Sequence, residues 1–463
     1  MLVPLPGILI TLAALALFAA VGVAAARRSG LADRDRYLTA RGSQGAGTLS
    51  LSFFASALGA WILFAPPEVG TAGGLLGVLG YAVGQAVAIG VFAWLGPAIR
   101  SRLPEGSTIL GFVRLRFGRP QQAYVGAVSV LYMFVFLTAE LTAIGGVLGL
   151  LAGVEPAVPI VAVAAVTAAY TAYGGLPASI ATDRWQGWLI LALLAVGAGA
   201  IMAEVGDPLR RAVDGGLGEV SRAGGEVMVV LVIAIVAANL FHQGFWQRVW
   251  AARDTTALVR GALGGAALIL PVVFLLGAAG AVAAGAGRAE VPSLAFFALL
   301  GGLPAPVLGA VVALAVALVA SSVDTLQNAL TSLVAGDVAG GRLSLPAARG
   351  LTVLLTVPAA LIALAGLSVL RLFLVADLLA ATVVFPVFLG LWRRASAAAA
   401  AAGSVAGLLG VVVLGWVRGG SPLDGALLLT LPDGPSLGAF LVAPAVSAVV
   451  TVLISLARRD VSR

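Results

Sequence analysis

The sequence predicts an all-α polytopic membrane protein with about 13 transmembrane helices. Hydrophobic residues make up 61% of the 463 residues and charged residues only 10%, whereas roughly a quarter of the residues in a water-soluble domain are charged. Apolar stretches long enough to cross a bilayer recur along the whole chain, and no connection between them is long enough for a second folded domain. We therefore expect a single transmembrane domain over residues 1–463.

The first apolar stretch, residues 2–25, has the length of a membrane-spanning helix. Arg27 and Arg28 follow this stretch, whereas a signal peptide carries its positive charges before the apolar residues. The pattern predicts a peripheral first helix, residues 1–26, with its N-terminus outside and a cytoplasmic loop after it.

Hydropathy predicts twelve further crossings, and the distribution of Arg supports their number. All 27 basic residues are Arg, and cytoplasmic loops carry the excess of positive charge in membrane proteins. Thirteen crossings place 21 of the 27 inside, whereas one helix more or fewer early in the chain would invert the later loops. The twelve crossings lie at about residues 48–70, 74–98, 121–152, 156–175, 186–206, 227–248, 259–286, 304–336, 348–367, 369–392, 396–417 and 437–457.

Residue types missing from the chain exclude several classes of function. Cys is absent and His242 is the only His, which excludes disulfides, thiolate metal sites and multi-His metal sites. Without Lys there is no Walker A phosphate loop, and without a second His there is no HExxH metalloprotease motif. We therefore expect no enzyme and no ATP-driven pump. The net charge of +7 reflects topology and anionic lipid rather than nucleic acid.

Two crossings, 48–70 and 227–248, contain helix-breaking residues. The first carries Gly59 and the pair Pro66-Pro67, and the second carries Gly244 in the run NLFHQGFWQRVW. Interrupted helices of this kind form binding sites near the bilayer midplane. The second lies five crossings after the first, which is the spacing of an inverted five-plus-five repeat. The predicted repeats are residues 48–206 and 227–392, followed by two C-terminal helices at 396–457.

Residues 311–337, VVALAVALVASSVDTLQNALTSLVAGD, are long enough to cross the bilayer yet carry polar side chains on one helical face. These polar residues are Ser321, Asp324, Thr325, Asn328 and Ser332. An ionisable group at membrane depth costs several kcal/mol or more unless it is paired, so Asp324 indicates a functional site. For the Ser and Asn residues, a helix-packing seam is the alternative interpretation.

Four motifs occur in order, and with them the chain resembles the solute:sodium symporter family. They are ASALGAWILFAPPEVG (residues 55–70), YTAYGGLPASIATDRWQ (170–186), HQGFWQRVWAAR (242–253) and ASSVDTLQNALTSLVAGD (320–337). FPVFLGLW (385–392) is a fifth, weaker match. The resemblance spans nearly the whole chain and implies a LeuT-type fold with discontinuous first and sixth core helices.

The resemblance also implies sodium as the coupling ion and assigns its ligands. They would be the backbone carbonyls of Ala55, Leu58 and Leu318 and the hydroxyls of Ser321 and Ser322. Carbonyls of an unwound helix lack partners at membrane depth, and a sodium ion would satisfy them.

A second cation site is implied at Asp183, Ser321, Asp324 and Thr325. Family members usually have a small hydroxyl residue at the position of Asp324, so this carboxylate departs from the pattern. Two carboxylates can hold one cation tightly, or one of them can be protonated and couple transport to protons. Asp183 also suits a helix N-cap at the start of the crossing 186–206, and both interpretations remain open.

The family's solute contacts correspond to Ala57, Trp61, Ile62, Tyr81, His242 and Gln243. Ala57 and Ile62 are apolar where sugar and proline symporters have polar or acidic residues, which argues against both solutes. His242 is either a recognition group or a packing group. Gate candidates are Glu68, Phe245, Trp246 and Asp377, and for Asp377 a structural pair with Arg371 is the alternative.

The resemblance thus implies a secondary active transporter that moves a small polar organic solute with sodium by alternating access. A proton-coupled symporter of the same fold is the nearest alternative. A transport-like membrane sensor would need an output module, and the sequence ends six residues after the last predicted helix. Expected partners are a small solute, a sodium ion and membrane lipid, with no nucleic acid. We expect a functional monomer in a bacterial cytoplasmic membrane.

Overall fold

The described part of the protein is built from helices, as the hydropathy pattern predicts. The computed structural model describes residues 2–29, 34–338, 343–431 and 435–457. Across these residues one isolated β-bridge, between Gln44 and Ala252, accompanies the helices and turns. Eleven described helices are long and apolar enough to cross a membrane, and one bent pair brings the number to twelve.

The described helices are numbered in chain order. The first ten are α1 (Pro4–Ser29), α2 (Arg34–Thr39), α3 (Ala46–Ala57), α4 (Ala65–Gly70), α5 (Gly74–Gly90), α6 (Phe92–Arg100), α7 (Ile109–Phe117), α8 (Arg119–Ala152), α9 (Ala157–Val205) and α10 (Pro208–Asp214). The others are α11 (Arg222–Asn239), α12 (Gln243–Ala251), α13 (Thr255–Gly285), α14 (Ala295–Ala298), α15 (Ala305–Leu333), α16 (Leu345–Ala363), α17 (Val369–Phe388), α18 (Ala397–Gly419), α19 (Pro422–Leu428) and α20 (Leu437–Ala457).

Helix α9 makes two crossings rather than one. Its 49 residues would measure about 74 Å at 1.5 Å per residue, more than twice the roughly 30 Å hydrocarbon core of a bilayer. Gly175 breaks the helix with a positive φ of 60°, and a Cβ there would lie 2.4 Å from the Tyr37 carbonyl oxygen. With this break the described helices account for thirteen crossings. The loop predicted at residues 176–185 is wrong, because helical structure resumes directly after Gly175.

Both predicted helix breaks are confirmed. Helix α3 ends at Ala57, Leu58 and Gly59 are extended, and a 3-10 turn at Ala60–Leu63 leads into α4. The two halves are bent by 59°. The second break lies between α11 and α12, where residues 240–242 leave the helix.

The polar helix α15 lies deepest in the molecule. In the most apolar 18-residue stretch of α15, 78% of the residues are buried, compared with 22% in the corresponding stretch of α1. Helix α15 packs against α3, α8, α9 and α12. The polar face predicted for residues 311–337 is therefore turned towards protein.

One Arg does not belong in the predicted count of loop charges. Arg248, the last residue of the predicted crossing 227–248, was counted among the 21 cytoplasmic Arg residues but is completely buried, because α12 runs through this position inside the protein. Four other members of the predicted cytoplasmic set, Arg342, Arg458, Arg459 and Arg463, lie outside the described residues.

A capped turn starts the next long helix. The Asp254 carboxylate accepts a hydrogen bond from the Ala257 backbone N–H at 2.7 Å, as N-cap residues do. This bond, with help from Arg253, lowers the pKa of Asp254 below its usual value.

Candidate ion and solute site

The two serines in the middle of α15 have different surroundings. The Ser321 hydroxyl donates to Asp183 Oδ1 at 2.8 Å. The Ser322 hydroxyl is buried, and no described group forms a hydrogen bond with it. Leaving a buried polar group unpaired costs about 1–3 kcal/mol, so such a group calls for an explanation.

The end of α3 supplies carbonyl oxygens close to this part of α15. The last four carbonyls of a helix have no partner within it, and Ala55 belongs to this turn. Leu58, with φ −108° and ψ 108°, lies in the extended break. The Thr325 and Ser56 hydroxyls are 3.3 Å apart and join α15 to the end of α3. Leu318 lies one turn before Ser322 and is buried. The proposed sodium ligands therefore come from two adjoining elements and are all oxygen atoms.

Asp183, Arg248 and Asp324 form a group of buried charges, which we call the buried ion cluster. All three side chains are inaccessible to solvent. The Arg248 guanidinium donates from Nη2 to Asp183 Oδ2 at 2.7 Å and to Thr325 Oγ1 at 3.0 Å. Nη2 also donates to Ser56 Oγ, while Nε donates to Ser52 Oγ at 2.9 Å and Nη1 to the Gly244 carbonyl at 2.6 Å. An Arg side chain therefore lies among the residues of the predicted second cation site.

Asp183 lies inside α9 and is not an N-cap, so that interpretation is wrong. Besides Arg248 and Ser321, its carboxylate accepts hydrogen bonds from Ser52 at 2.6 Å and Ser56 at 3.1 Å. The same carboxylate thus links α3, α9, α12 and α15.

Asp324 is surrounded by hydroxyl groups and has no ion pair among the described residues. Its Oδ2 accepts from Tyr170 at 2.6 Å and Thr182 at 3.0 Å. Its Oδ1 accepts from Ser179 at 2.7 Å. With both carboxylates ionised and one guanidinium, the buried ion cluster carries one net negative charge. A proton or a monovalent cation would neutralise it.

Glu140 forms a hydrogen bond with the backbone at the first helix break. Its Oε2 accepts the Ala60 backbone N–H at 2.9 Å, where the 3-10 turn starts. Its Oε1 is buried, and no described group forms a hydrogen bond with it. A carboxylate thus satisfies one backbone donor that the unwinding of this helix leaves free.

A small cavity lies beside the two breaks, and we call it the solute cavity. Its volume is about 30 Å³, and its walls include Trp61, Tyr81, Tyr132, Phe373 and Asp377. Trp61 stacks on Tyr81 at 5.6 Å between ring centroids. Two of the predicted solute contacts, Trp61 and Tyr81, therefore face one cavity.

The remaining predicted solute contacts lie around the breaks but have other neighbours. Ala57 and Ile62 are fully buried. The His242 ring stacks on Phe245 at 4.3 Å, and neither ring nitrogen has a described hydrogen-bond partner. Gln243 turns away from the cavity: its amide donates to the Ser107 carbonyl at 2.6 Å and accepts the Ile109 N–H at 3.2 Å.

The predicted gate residues divide into packing groups and acids. Phe245 packs against Phe53 and Phe92, and the Trp246 indole N–H donates to the Leu240 carbonyl at 2.8 Å. Glu68 is partly exposed at the start of α4. Asp377 lines the solute cavity, and the expected pair with Arg371 does not form in the described structure, where Arg371 is exposed.

A larger cavity lies elsewhere and has no residue from either break. Its volume is about 550 Å³, and Leu150, Arg288, Glu290 and Phe297 are among its lining residues. Of these two cavities, the smaller one adjoins the interrupted helices, which form binding sites in transporters of this kind.

Comparison with known proteins identifies the family. The model of the sodium:solute symporter family matches residues 37–407. The chain belongs to the sodium:solute symporter family. It is 31% identical over 433 residues to a protein named spermidine transporter DUR31 from Candida albicans, with 90% of this chain and 83% of that protein covered.

Solved structures agree on the fold. A Na+-coupled sialic acid symporter in a substrate-bound outward-open state superposes with a TM-score of 0.76 at 18% identity, covering 98% of each chain. Mhp1, a nucleobase-cation-symport-1 family transporter, superposes with a TM-score of 0.60 at 16% identity, covering 92% of this chain and 97% of that one. The protein is therefore a multi-pass membrane transporter with the LeuT-type fold, as predicted.

Several groups in this family member were not expected at the site. They are Ser52, Ser56, Tyr170, Ser179 and Thr182 around the buried ion cluster, and Gln85, Tyr132, Asn239 and Phe373 at the solute cavity. Arg248 carried a usable signal, because it follows Gly244 by one helical turn within a predicted broken crossing. The others are ordinary residues of membrane helices, and only the packing of the helices brings them together.

The break between α3 and α4 leaves no room for a side chain at Gly59. A Cβ on Gly59 would lie 1.6 Å from Glu140 Oε1 and 2.1 Å from Glu140 Cδ. We expect Gly59→Ala to push Glu140 from the Ala60 N–H and to lower stability by about 1–3 kcal/mol, as overpacking does. Heat unfolding in detergent measures this. Gly197→Ala is the matched control, because a Cβ at Gly197 meets no atom within 4 Å. Equal stability of the two variants would contradict the assigned contact.

Proposed function

We propose that this transporter moves a small polar organic solute together with sodium by alternating access, with the ion at Ala55, Leu58, Leu318, Ser321 and Ser322. The observation that carries the proposal is the buried Ser322 hydroxyl without a described partner, on a helix that adjoins the carbonyl end of α3. Sodium accepts oxygen ligands from hydroxyls and from unwound backbone, and a bound ion would supply the partner that Ser322 lacks.

The broken helix connects the ion site with the solute cavity. Trp61 lies in the 3-10 turn of the break and lines the cavity. Gln85, which also lines the cavity, donates to the Ala57 carbonyl at 3.3 Å. An ion that fixes α3 against α15 would thereby fix one wall of the solute cavity. Differential binding to one conformation is what lets an ion drive a solute.

The buried ion cluster supports a second coupling cation. The cluster has one net negative charge when both carboxylates are ionised, and a cation would neutralise it. The hydrogen bond of 2.8 Å from Ser321 to Asp183 connects the cluster to the proposed sodium ligands. Proton coupling through Asp324 is the second candidate function, because that carboxylate is surrounded by hydroxyls and has no cationic partner among the described residues. In either case we expect a monomer in a bacterial cytoplasmic membrane.

A screen of candidate solutes by thermal unfolding would identify the transported solute. The relatives include a protein named for spermidine and a structure named for sialic acid, so the first panel of candidate solutes should contain both. Purified protein should unfold at higher temperature with the true solute, since a ligand that binds the native state stabilises it. Sodium should strengthen this shift. Uptake of the best ligand into proteoliposomes, driven only by an inward sodium gradient, tests the function.

The two serines give the sharpest test of the ion site. We expect Ser322→Ala and Ser321→Ala to raise the sodium concentration for half-maximal uptake by about 10- to 100-fold, because each removes a ligand oxygen worth roughly 1–3 kcal/mol. Uptake at saturating sodium should change much less.

Ser332→Ala is the matched control for these variants. Ser332 is a buried serine of the same helix whose hydroxyl also lacks a described partner, but it lies about three turns from Ser322. Wild-type sodium dependence in both Ser321→Ala and Ser322→Ala would reject the assignment.

A further inference from the structure

We propose that the solute cavity recognises a protonated amine and that Asp377 is its counter-charge. The inference rests on the proposed transport function for its role in the cycle, since the cavity adjoins the broken helix that the ion is proposed to fix. It concerns the chemistry of the solute rather than the identity of the coupling ion.

Five of the six polar side chains in the cavity wall can accept a hydrogen bond, and the sixth, the Trp61 indole, only donates. Each of the two lining amides uses one N–H on a backbone carbonyl: Gln85 donates to the Ala57 carbonyl at 3.3 Å and Asn239 donates to the Ile235 carbonyl at 2.8 Å. No described residue donates a hydrogen bond to either amide oxygen, so both can accept one from a ligand. With the Asp377 carboxylate, the cavity presents acceptor oxygens from three side chains. An alkylammonium group has three donors and no acceptor, which is the complementary pattern.

Asp377 has the charge that an ammonium requires. The residue is 6% exposed, and no described residue forms a hydrogen bond or an ion pair with it. Arg371, the basic residue nearest to it along α17, is exposed and does not pair with it. A buried charge within a membrane protein is expensive without a partner, so an intramembrane carboxylate marks a ligand or ion pathway.

The rings around the cavity favour the same ligand. Trp61, Tyr81, Tyr132 and Phe373 line it, and Trp61 meets Phe373 edge to face at 6.0 Å. Aromatic rings attract ammonium groups through their quadrupole, more strongly when water is excluded. An anionic solute would meet these rings and Asp377 without a described basic residue in the cavity wall.

The size of the cavity agrees with a single ammonium group. About 10–15 Å³ of such space holds one water molecule, and the cavity has about 30 Å³. In this conformation it admits the charged end of an amine, whereas a sugar ring would require the walls to separate. The alkyl part of the solute would then lie along the aromatic rings.

Binding to the purified full-length protein tests the proposal with probes of matched length. The probes are n-butylamine, 1,4-diaminobutane, the neutral 1,4-butanediol and the anion butanoate, each titrated calorimetrically with saturating sodium. We expect the two amines to bind and the diol and butanoate not to bind. Asp377→Asn should weaken amine binding by about 10- to 100-fold, and Asp377→Glu should restore most of it.

Two controls separate this proposal from the ion site and from misfolding. Asp377→Asn should keep the stabilisation by sodium, which shows that it is folded and that the ion site is intact. Asp337→Asn makes the same acid-to-amide change outside the cavity, at a carboxylate that Gln122 contacts at 3.0 Å, and should bind amines as wild type does. Equal binding of 1,4-butanediol and 1,4-diaminobutane, no binding of either amine, or full amine binding by Asp377→Asn would overturn the proposal. Loss of the sodium response in wild type would instead overturn the proposed sodium coupling.

Discussion

Replacing Arg248 by Gln should destabilise the protein more than any other single change considered for this site. The guanidinium pairs with Asp183 at 2.7 Å in a region without solvent, and it also contacts Ser52, Ser56 and Thr325. Removing one partner of a buried ion pair costs about 3–5 kcal/mol, because the other charge remains buried and uncompensated. In this case two carboxylates would remain. We expect a large drop in the unfolding temperature in detergent and loss of sodium-driven uptake.

The matched control is Arg253→Gln, five residues further along the chain. Arg253 pairs with Asp254 at 3.1 Å, but the Arg253 side chain is 69% exposed, and exposed pairs contribute little. A second test is the double variant Arg248→Gln with Asp183→Asn, which removes both charges of the pair and should recover part of the lost stability. The account of the cluster fails if Arg248→Gln is as stable as Arg253→Gln, or if the double variant is no more stable than Arg248→Gln alone.

Replacing Asp324 by Asn should lower the number of charges moved per solute by one. The wild-type buried ion cluster has two carboxylates and one guanidinium, so it takes up one positive charge to become neutral. The introduced amide is nearly the same shape as the carboxylate, and its oxygen can still accept a hydrogen bond from Ser179 or Tyr170, which donate at 2.7 and 2.6 Å in the wild type. The variant should therefore fold and keep the Ser321 and Ser322 ion site. Charge movement and solute uptake, measured together in proteoliposomes, give the ratio.

The same experiment distinguishes a proton from a second sodium ion. If Asp324 carries a proton, wild-type transport should acidify the vesicle interior at constant sodium and Asp324→Asn transport should not. If Asp324 binds sodium, the variant should move one sodium ion fewer per solute without a change in acidification. Asp337→Asn controls for the loss of an acid elsewhere. An unchanged charge-to-solute ratio in well-folded Asp324→Asn would show that this carboxylate carries no coupling ion.

The fold was largely predictable because bilayer thickness fixes helix length. Hydropathy and the Arg distribution located twelve of the crossings to within a few residues of the observed helices, and the Gly and Pro residues marked both breaks. The error at residues 176–185 has a local cause. Two glycines and a proline look like a loop in sequence, but one left-handed residue, Gly175, is enough to redirect a helix that then continues.

The site was predictable only where the sequence carried an unusual residue for membrane depth. The serines, Asp183, Asp324 and Asp377 were evident for this reason. Arg248 was counted as a cytoplasmic charge, because a charge at the end of a crossing normally reaches water by snorkelling. Gln243 was assigned to the solute and instead contacts the Ser107–Ile109 backbone. No sequence pattern predicts such contacts, because they join residues more than a hundred positions apart.

Direct binding of radioactive sodium to the purified protein tests the central claim, that an ion held by Ser322 drives transport. The account predicts saturable binding to wild type and to Asp377→Asn, and binding weakened by about 10- to 100-fold in Ser322→Ala. It also predicts that Ser332→Ala binds as wild type does. No saturable sodium binding to wild type, or the same affinity in Ser322→Ala as in Ser332→Ala, would contradict it.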